Sequence, residues 1–231
     1  MKIANNVALL SVGGQKAMYF VLTWDENNLA LIDAGFPGHG DAIVQAIADE
    51  GFNPANLTHI FITHQDWDHV GCVKDLQKQA PNLKVLAHEE EAPYIDGQKL
   101  PIKLDNWLAK YDTLTDDERT RADSWRAVYE SSPIPITQIL CDGEVLPICG
   151  GIEVVHTPGH TPGHIVLYLK ESNIMVCGDA CNINAGKLTG SNPVYTFDMN
   201  QATASLEKIK SYKPMGIVAY HGGFLKMDGE M

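Results

Sequence analysis

The segment His64-Gln65-Asp66-Trp67-Asp68-His69 sets four side chains that can hold a metal ion at positions i, i+2, i+4 and i+5, directly after the apolar run His59-Ile60-Phe61-Ile62-Thr63. No regular strand or helix turns all four the same way, because side chains repeat every two residues in a strand and every 3.6 in a helix. The segment is therefore expected to be a loop that wraps an ion. A polar turn would account for the Asp residues, but it gives no reason for two histidines. Three more features of this kind follow apolar runs: His160 in His156-Thr-Pro-Gly-His160-Thr-Pro-Gly-His164, Asp179 in Val176-Cys-Gly-Asp179, and His221 in Val218-Ala-Tyr-His221-Gly-Gly. Four such features at strand ends point to a metal site.

Taken in order, Asp33 in Leu31-Ile-Asp33-Ala-Gly35, the His64 to His69 loop, His160, Asp179 and His221 resemble the metallo-β-lactamase superfamily, over nearly the whole chain. The resemblance implies an α/β (α+β) fold, a four-layered αββα sandwich of two mixed sheets with helices outside and a two-metal site at one sheet edge. It also implies hydrolysis of an ester, thioester, lactone, amide or phosphodiester. By position, His64, Asp66 and His160 would hold the first ion, and Asp68, His69 and His221 the second. Asp179 would bridge them, and Asp33 would be a structural neighbour rather than a ligand.

The family pattern is His-x-His-x-Asp-His, and this chain places Asp66 where the second His belongs. Two divalent ions bring four positive charges, which Asp66, Asp68, Asp179 and a bridging hydroxide would cancel. A less positive pair acidifies bound water less and polarises a carbonyl less. The added hard oxygen also moves preference from zinc toward iron or manganese, although zinc accepts carboxylates. The flavodiiron branch is similar in having a carboxylate, a Glu, at this place, but its attached flavodoxin-like domain has no counterpart in 231 residues.

Composition narrows the function further. With 231 residues and 45% apolar content, a single domain over 1–231 with a substantial core is expected. The net charge of −12 repels a nucleic-acid backbone, which argues against nuclease activity and for small neutral or acyl substrates. Five cysteines (Cys72, Cys141, Cys149, Cys177, Cys181) form no close CxxC pair, so reduced thiols are expected. The amino-terminal segment has too short an apolar patch for a signal peptide, and no run reaches membrane-spanning length, so the expected compartment is the cytoplasm, with no membrane partner. One major zinc β-lactamase branch has Cys at the Asp179 position, which this chain lacks. There is no phosphate loop and no Gly-x-Ser-x-Gly elbow.

The elements that must carry these residues are strands near 7–11, 17–23 and 29–32, a helix over 41–50 stopped by Gly51, a helix over 70–79 and a strand over 85–88. His88, beside Glu89, Glu90 and Glu91, reads as a surface histidine or one supporting the ligands. From about 92 to 139 the strand pattern lapses into a helical insertion, a lid or substrate wall. One helix there carries Leu104, Trp107, Leu108 and Tyr111. The other opens with the capping box Thr115-Asp-Asp-Glu118 and carries Ala122, Trp125 and Tyr129. An antiparallel second sheet from Cys141 onward and a final helix over 200–212 complete the chain. His164 is expected to orient its neighbours at the start of a strand over 165–169.

The expected mechanism is hydrolysis in which a metal-bridging hydroxide attacks a small ester, lactone or thioester. Asp68 is both ligand and proton acceptor, and Tyr195 or Asn182 donates to the oxyanion. The cofactors are two divalent ions, zinc first, then iron or manganese; a homo-oligomer is left open. The rival readings are a redox iron protein related to the flavodiiron branch and a degenerate, non-catalytic metal-binding protein. Among hydrolases, a glutathione thioesterase would need cations for the substrate carboxylates, and Lys187 alone suggests itself.

Overall fold

The computed structural model describes residues 1–14, 17–131 and 133–227. The first sheet runs in sequence order through β1 (Lys2–Ala4), β2 (Val7–Val12), β3 (Met18–Trp24), β4 (Leu29–Ile32), β5 (His59–Ile62), β6 (Lys84–His88) and β7 (Gln138–Leu140). Its strands pair antiparallel as far as β4 and parallel from β4 to β7. The parallel strands are joined by helices: α1 (Gly40–Asp49) leads to β5, and α2 (Trp67–Val70) and α3 (Val73–Gln79) lead to β6. Such crossovers cover the sheet face, which is why these strands read as unbroken apolar runs.

The second sheet contains β8 (Val145–Leu146), β9 (Ile152–His156), β10 (Ile165–Leu169), β11 (Ile174–Val176), β14 (Gly216–Ala219) and β15 (Gly223–Lys226), in the order β15-β14-β11-β10-β9-β8. Between β11 and β14 lie the hairpin β12 (Cys181–Asn184) with β13 (Lys187–Gly190) and the helix α7 (Met199–Ser211). The sheet is not wholly antiparallel, as expected from its short apolar runs, because β11 and β14 pair parallel across α7.

Alternation along the strands builds the layers. Val21, Ile32, Phe61 and Leu86 meet Val154, Ile165, Leu167 and Val218 between the sheets. Their neighbours Phe20, Leu22, Ile60 and Ile62 face outward against Ile43 and Ile47 of α1 and Leu76 of α3. On the far side, Val166, Met175 and Ile217 pack on Ile209 of α7. The result is the αββα sandwich. The expected helix over 70–79 is interrupted at Gly71, where an added Cβ would lie 2.3 Å from the Pro37 nitrogen and 2.5 Å from the Gly35 oxygen.

The insertion holds α4 (Ala92–Ile95), α5 (Ile102–Leu108), a 3-10 turn at Tyr111–Thr113 and α6 (Asp116–Ser131). It ends before 139, since β7 is the edge strand of the first sheet. Tyr111 lies beyond α5, and its hydroxyl donates to Asp123 at 2.6 Å. The capping box forms as expected, with the Thr115 backbone N–H donating to Glu118 at 2.8 Å and the Glu118 N–H to the Thr115 hydroxyl at 3.3 Å. Trp107 and Trp125 join the two helices edge to face at 6.3 Å. Among the described residues no helix is long and apolar enough to cross a membrane.

Candidate metal centre

All the ligand candidates leave the sandwich at one edge. Asp33 follows β4, the His64 to His69 segment follows β5, His160 lies between β9 and β10, Asp179 follows β11, and His221 follows β14. The His64 segment is a loop only as far as Asp66. Trp67 to Val70 then make one helical turn, so the change of backbone between Asp66 and Asp68 aims the carboxylates at different neighbours.

The frame beneath the site is rigid and dry. Asp33 takes a left-handed conformation, φ +64°, and its carboxylate accepts from the Thr63 N–H at 2.9 Å and the Thr63 hydroxyl at 2.9 Å. It also accepts from His69 Nδ1 at 2.8 Å, which fixes the tautomer and leaves Nε2 for the site. His160 is set the same way, its Nδ1 lying 3.0 Å from Ser191 Oγ. His164 performs the role expected of it: its Nε2 accepts from the Asp179 N–H at 3.2 Å and its Nδ1 lies 2.9 Å from the Thr157 hydroxyl. A Cβ at Gly178 would sit 2.9 Å from that same Nε2, so only glycine lets the two approach.

Three sets of donor atoms each lie within 4.8 Å of one another: His64, Asp66 and His160; Asp68, His69 and His221; and His64, His69 and Asp179. We call the first set the inner cluster and the second the outer cluster. Asp179 spans them, with Oδ2 3.5 Å from His160 Nε2 and Oδ1 3.6 Å from His69 Nε2. His64 Nε2, His69 Nε2 and Asp179 Oδ1 are buried with no hydrogen-bond partner. Unpaired buried polar atoms cost about 1–3 kcal/mol each, and here they converge with further ring nitrogens and carboxylates. That donor set fits divalent ions.

Burial and mutual attraction set the charge states. Burial, with His69 nearby, lowers His64 to about 4. Burial pushes the Asp66 carboxyl up, but His64, His160 and Lys103 outweigh it and hold it well below the usual range. Burial would lower His69 and His221 as well. Asp33, Asp68 and Asp179 reverse this for His69, and Asp68 and Asp179 for His221, so both are held above their ordinary values.

Several residues that matter here escaped the sequence reading. Glu91 is fully buried rather than part of an acidic surface. Its carboxylate accepts from the Gln65 N–H at 2.8 Å, the Gln65 amide at 3.0 Å and the Gly163 N–H at 2.8 Å, tying the His64 loop to the His160 loop. Gln65 Oε1 accepts from the Ile102 N–H at 2.8 Å, where α5 begins. Tyr220 packs on His69 at 3.9 Å and donates to the Asp68 carbonyl. Lys103 pairs with Asp66 Oδ2 and lies 3.2 Å from His160 Nε2. His88 is buried too, stacked on His156 at 4.4 Å, and belongs to none of the donor sets.

A cavity of about 1130 Å³ opens over the donor atoms and is walled by the insertion. Asn182 and Tyr195 both line it. The Asn182 amide donates to the Gly190 carbonyl at 3.3 Å, and the Tyr195 ring lies 5.7 Å from Lys103 Nζ. Lys187 does not line it.

Comparison with known proteins agrees with this geometry. The model of the metallo-beta-lactamase superfamily matches residues 12–221. The probable metallo-hydrolase YflN of Bacillus subtilis is 26% identical over 222 residues, 89% of this chain and 80% of that one. The hydroxyacylglutathione hydrolase GloC of Haemophilus influenzae is 30% identical over 161 residues, 68% of this chain and 64% of that one. Among solved structures, the metallo-beta-lactamase family protein TTHA1429 from Thermus thermophilus superposes with a TM-score of 0.76 at 23% identity, over 97% of this chain and 76% of that one. With its fold, its donor clusters and a family match over most of its length, this chain belongs to the metallo-β-lactamase superfamily.

Proposed function

We propose that this metal-dependent hydrolase uses two divalent ions to cleave a small ester, lactone or thioester. The observation that carries the reading is the convergence of buried, unpartnered donor atoms from His64, His69 and Asp179, the last of which lines the cavity. His64, Asp66 and His160 would hold one ion, Asp68, His69 and His221 the other, with Asp179 between them. Zinc suits the histidines, and the carboxylate at Asp66 also accommodates iron or manganese. Such ions lower the pKa of water and polarise a substrate carbonyl.

The chain supplies the remaining parts. Asp68 stands at the open side of the site, its side chain 17% exposed and Oδ2 3.2 Å from His221 Nε2, where a carboxylate can take up and release a proton. Tyr195 and Asn182 stand in the cavity wall as contacts for the substrate oxygen. Trp67, Trp107 and Trp125 exclude water from an acyl group. The test is elemental analysis of protein prepared without added zinc, followed by assay on lactone, thioester and phosphodiester panels. Two ions per chain with turnover of an acyl compound supports the proposal; full metal content with no hydrolysis of any panel member overturns it.

A second reading has one observation in its favour. Lys103 places a protein cation on Asp66, which would suit a centre with one ion in the outer cluster. A stoichiometry of one ion per active chain selects it.

A further inference from the structure

Every charged residue that the insertion contributes to the cavity lining is a cation. The chain has 29 Asp and Glu against 17 Lys and Arg, yet the carboxylates lining the cavity are Asp66, Asp68 and Asp179, all in the donor set. Lys103, Lys110 and Arg121 line it from the insertion. Acids are not scarce there: α6 opens with Asp116, Asp117 and Glu118 and also carries Asp123 and Glu130, and none of them reaches the cavity. The faces are sorted by helical spacing. Lys103, Asn106, Trp107 and Lys110 recur at i, i+3, i+4 and i+7, and Arg121 and Trp125 at i and i+4.

Two of the cavity cations are in no close ion pair among the described residues, although Arg121 lies near enough to Glu118 to help the Thr115 hydrogen bonds lower its carboxyl. Lys103 is taken up by Asp66, Arg119 by the Tyr111 and Asp112 carbonyls, and Arg126 by Glu130. Lys110 and Arg121 are exposed and make no ion pair with any described residue. Trp67, Trp107 and Trp125 line the same cavity, Trp125 lying 5.1 Å from Trp67 and 6.3 Å from Trp107.

Building on the hydrolase reading, we infer that this wall is a subsite for an oxyanion, in the simplest case a carboxylate, carried by the substrate away from the bond that is cleaved. Lys110 and Arg121 are its specificity-determining residues, Arg121 offering a planar fork that matches a carboxylate. Trp107 and Trp125 pack the apolar link between that anion and the reacting carbon. The substrate is thus an acid as well as an ester or thioester.

Two probe pairs test this. The first is 4-nitrophenyl hydrogen glutarate against its neutral methyl ester, assayed as substrates of the metal-loaded enzyme. The second is 2-naphthalenesulfonate against neutral methyl 2-naphthyl sulfone, titrated by calorimetry. The wild type should favour the anion of each pair about tenfold, the scale of two solvent-facing charge pairs, with less preference as salt rises. The double variant Lys110→Gln, Arg121→Gln should lose the preference through KM, leaving the neutral ester unchanged, whereas Arg121→Lys should keep part of it. If neither ester is cleaved, the sulfonate pair decides the subsite alone, and the lactone, thioester and phosphodiester panels decide the hydrolase reading separately. Equal handling of charged and neutral probes, or a preference that survives in the double variant, overturns the inference.

Discussion

The inner and outer clusters use the same residue types in unlike surroundings. The side chains of His64, Asp66 and His160 are 0%, 8% and 1% exposed, whereas in the outer cluster only His69 is buried and Asp68 and His221 are 17% and 43% exposed. Asp66 has a lysine against it, and the outer carboxylate has only histidines. His64 is held neutral down to about pH 4, while His69 and His221 retain protons above the ordinary histidine value. The protein therefore sets a cation of its own against the inner cluster and leaves the outer one open to solvent. Affinity and proton traffic are divided between two sides of one site.

The division breaks most sharply at Asp179, which both clusters share. Asp179→Asn should lower hydrolysis on the order of 1000-fold, the upper scale for losing one principal electrostatic group, and it should cut metal content in both halves. Loss of a single ion, measured by elemental analysis, would show that Asp179 serves only one side. Next in size is the effect of chelation. Each ion held about 1000-fold above its Kd contributes about 4 kcal/mol, so its removal lowers Tm by about 10 °C in a chain of this length. A calorimetric trace that does not move after verified metal removal would mean that the clusters carry no folding energy.

The halves should also separate by pH. Ion binding at the outer cluster must displace protons from His69 and His221, so its affinity rises as pH rises through neutrality, up to about tenfold per unit for each proton released. His64, lowered to about 4, releases no proton over that range, so the inner affinity should rise less steeply. Competition titrations with a chromophoric chelator at pH 6, 7 and 8 measure this, and parallel slopes at both positions would remove the distinction. Lys103→Met should tighten the inner position about tenfold, because it removes a like charge a few ångströms from the ion. Asp66→His should then move preference toward zinc and hydrolysis toward lower pH. An unchanged metal preference and pH profile at full occupancy would make Asp66 a neutral substitution.

The candidate donors were legible in the sequence because an ion demands particular atoms, and His64, Asp66, Asp68, His69, His160, Asp179 and His221, which the fold gathers into three donor sets, have no bland role in common. The sandwich was legible through the family resemblance, with which the order of the apolar runs agreed. What stayed hidden depends on contacts distant in sequence. Glu91 reads like its neighbours Glu89 and Glu90, and only the folded chain buries it against Gln65 and Gly163. Gly71 breaks a helix because Pro37 packs on it. The cationic wall was closer to hand: Leu104 is buried on the packed side of α5, whereas Trp107, read in the same stripe, lines the cavity with Lys103 and with Lys110 just beyond the helix end. Reading both faces of that helix would have found it. The parallel pair β11 and β14 was also implied by a strand, a helix and a strand in succession, but the hairpin between them obscured the pattern.

Gln65 has a wider consequence. Its backbone and amide are held by Glu91 while its Oε1 receives the first N–H of α5, and it sits between His64 and Asp66 in sequence. Any molecule that steadies the insertion therefore steadies the peptide on either side of two donor residues. By linkage the reverse follows in equal measure: whatever factor a captured ligand adds to ion affinity, the ion adds to ligand affinity. A cell with little metal to spare would then see this protein charge itself most readily when its substrate is abundant.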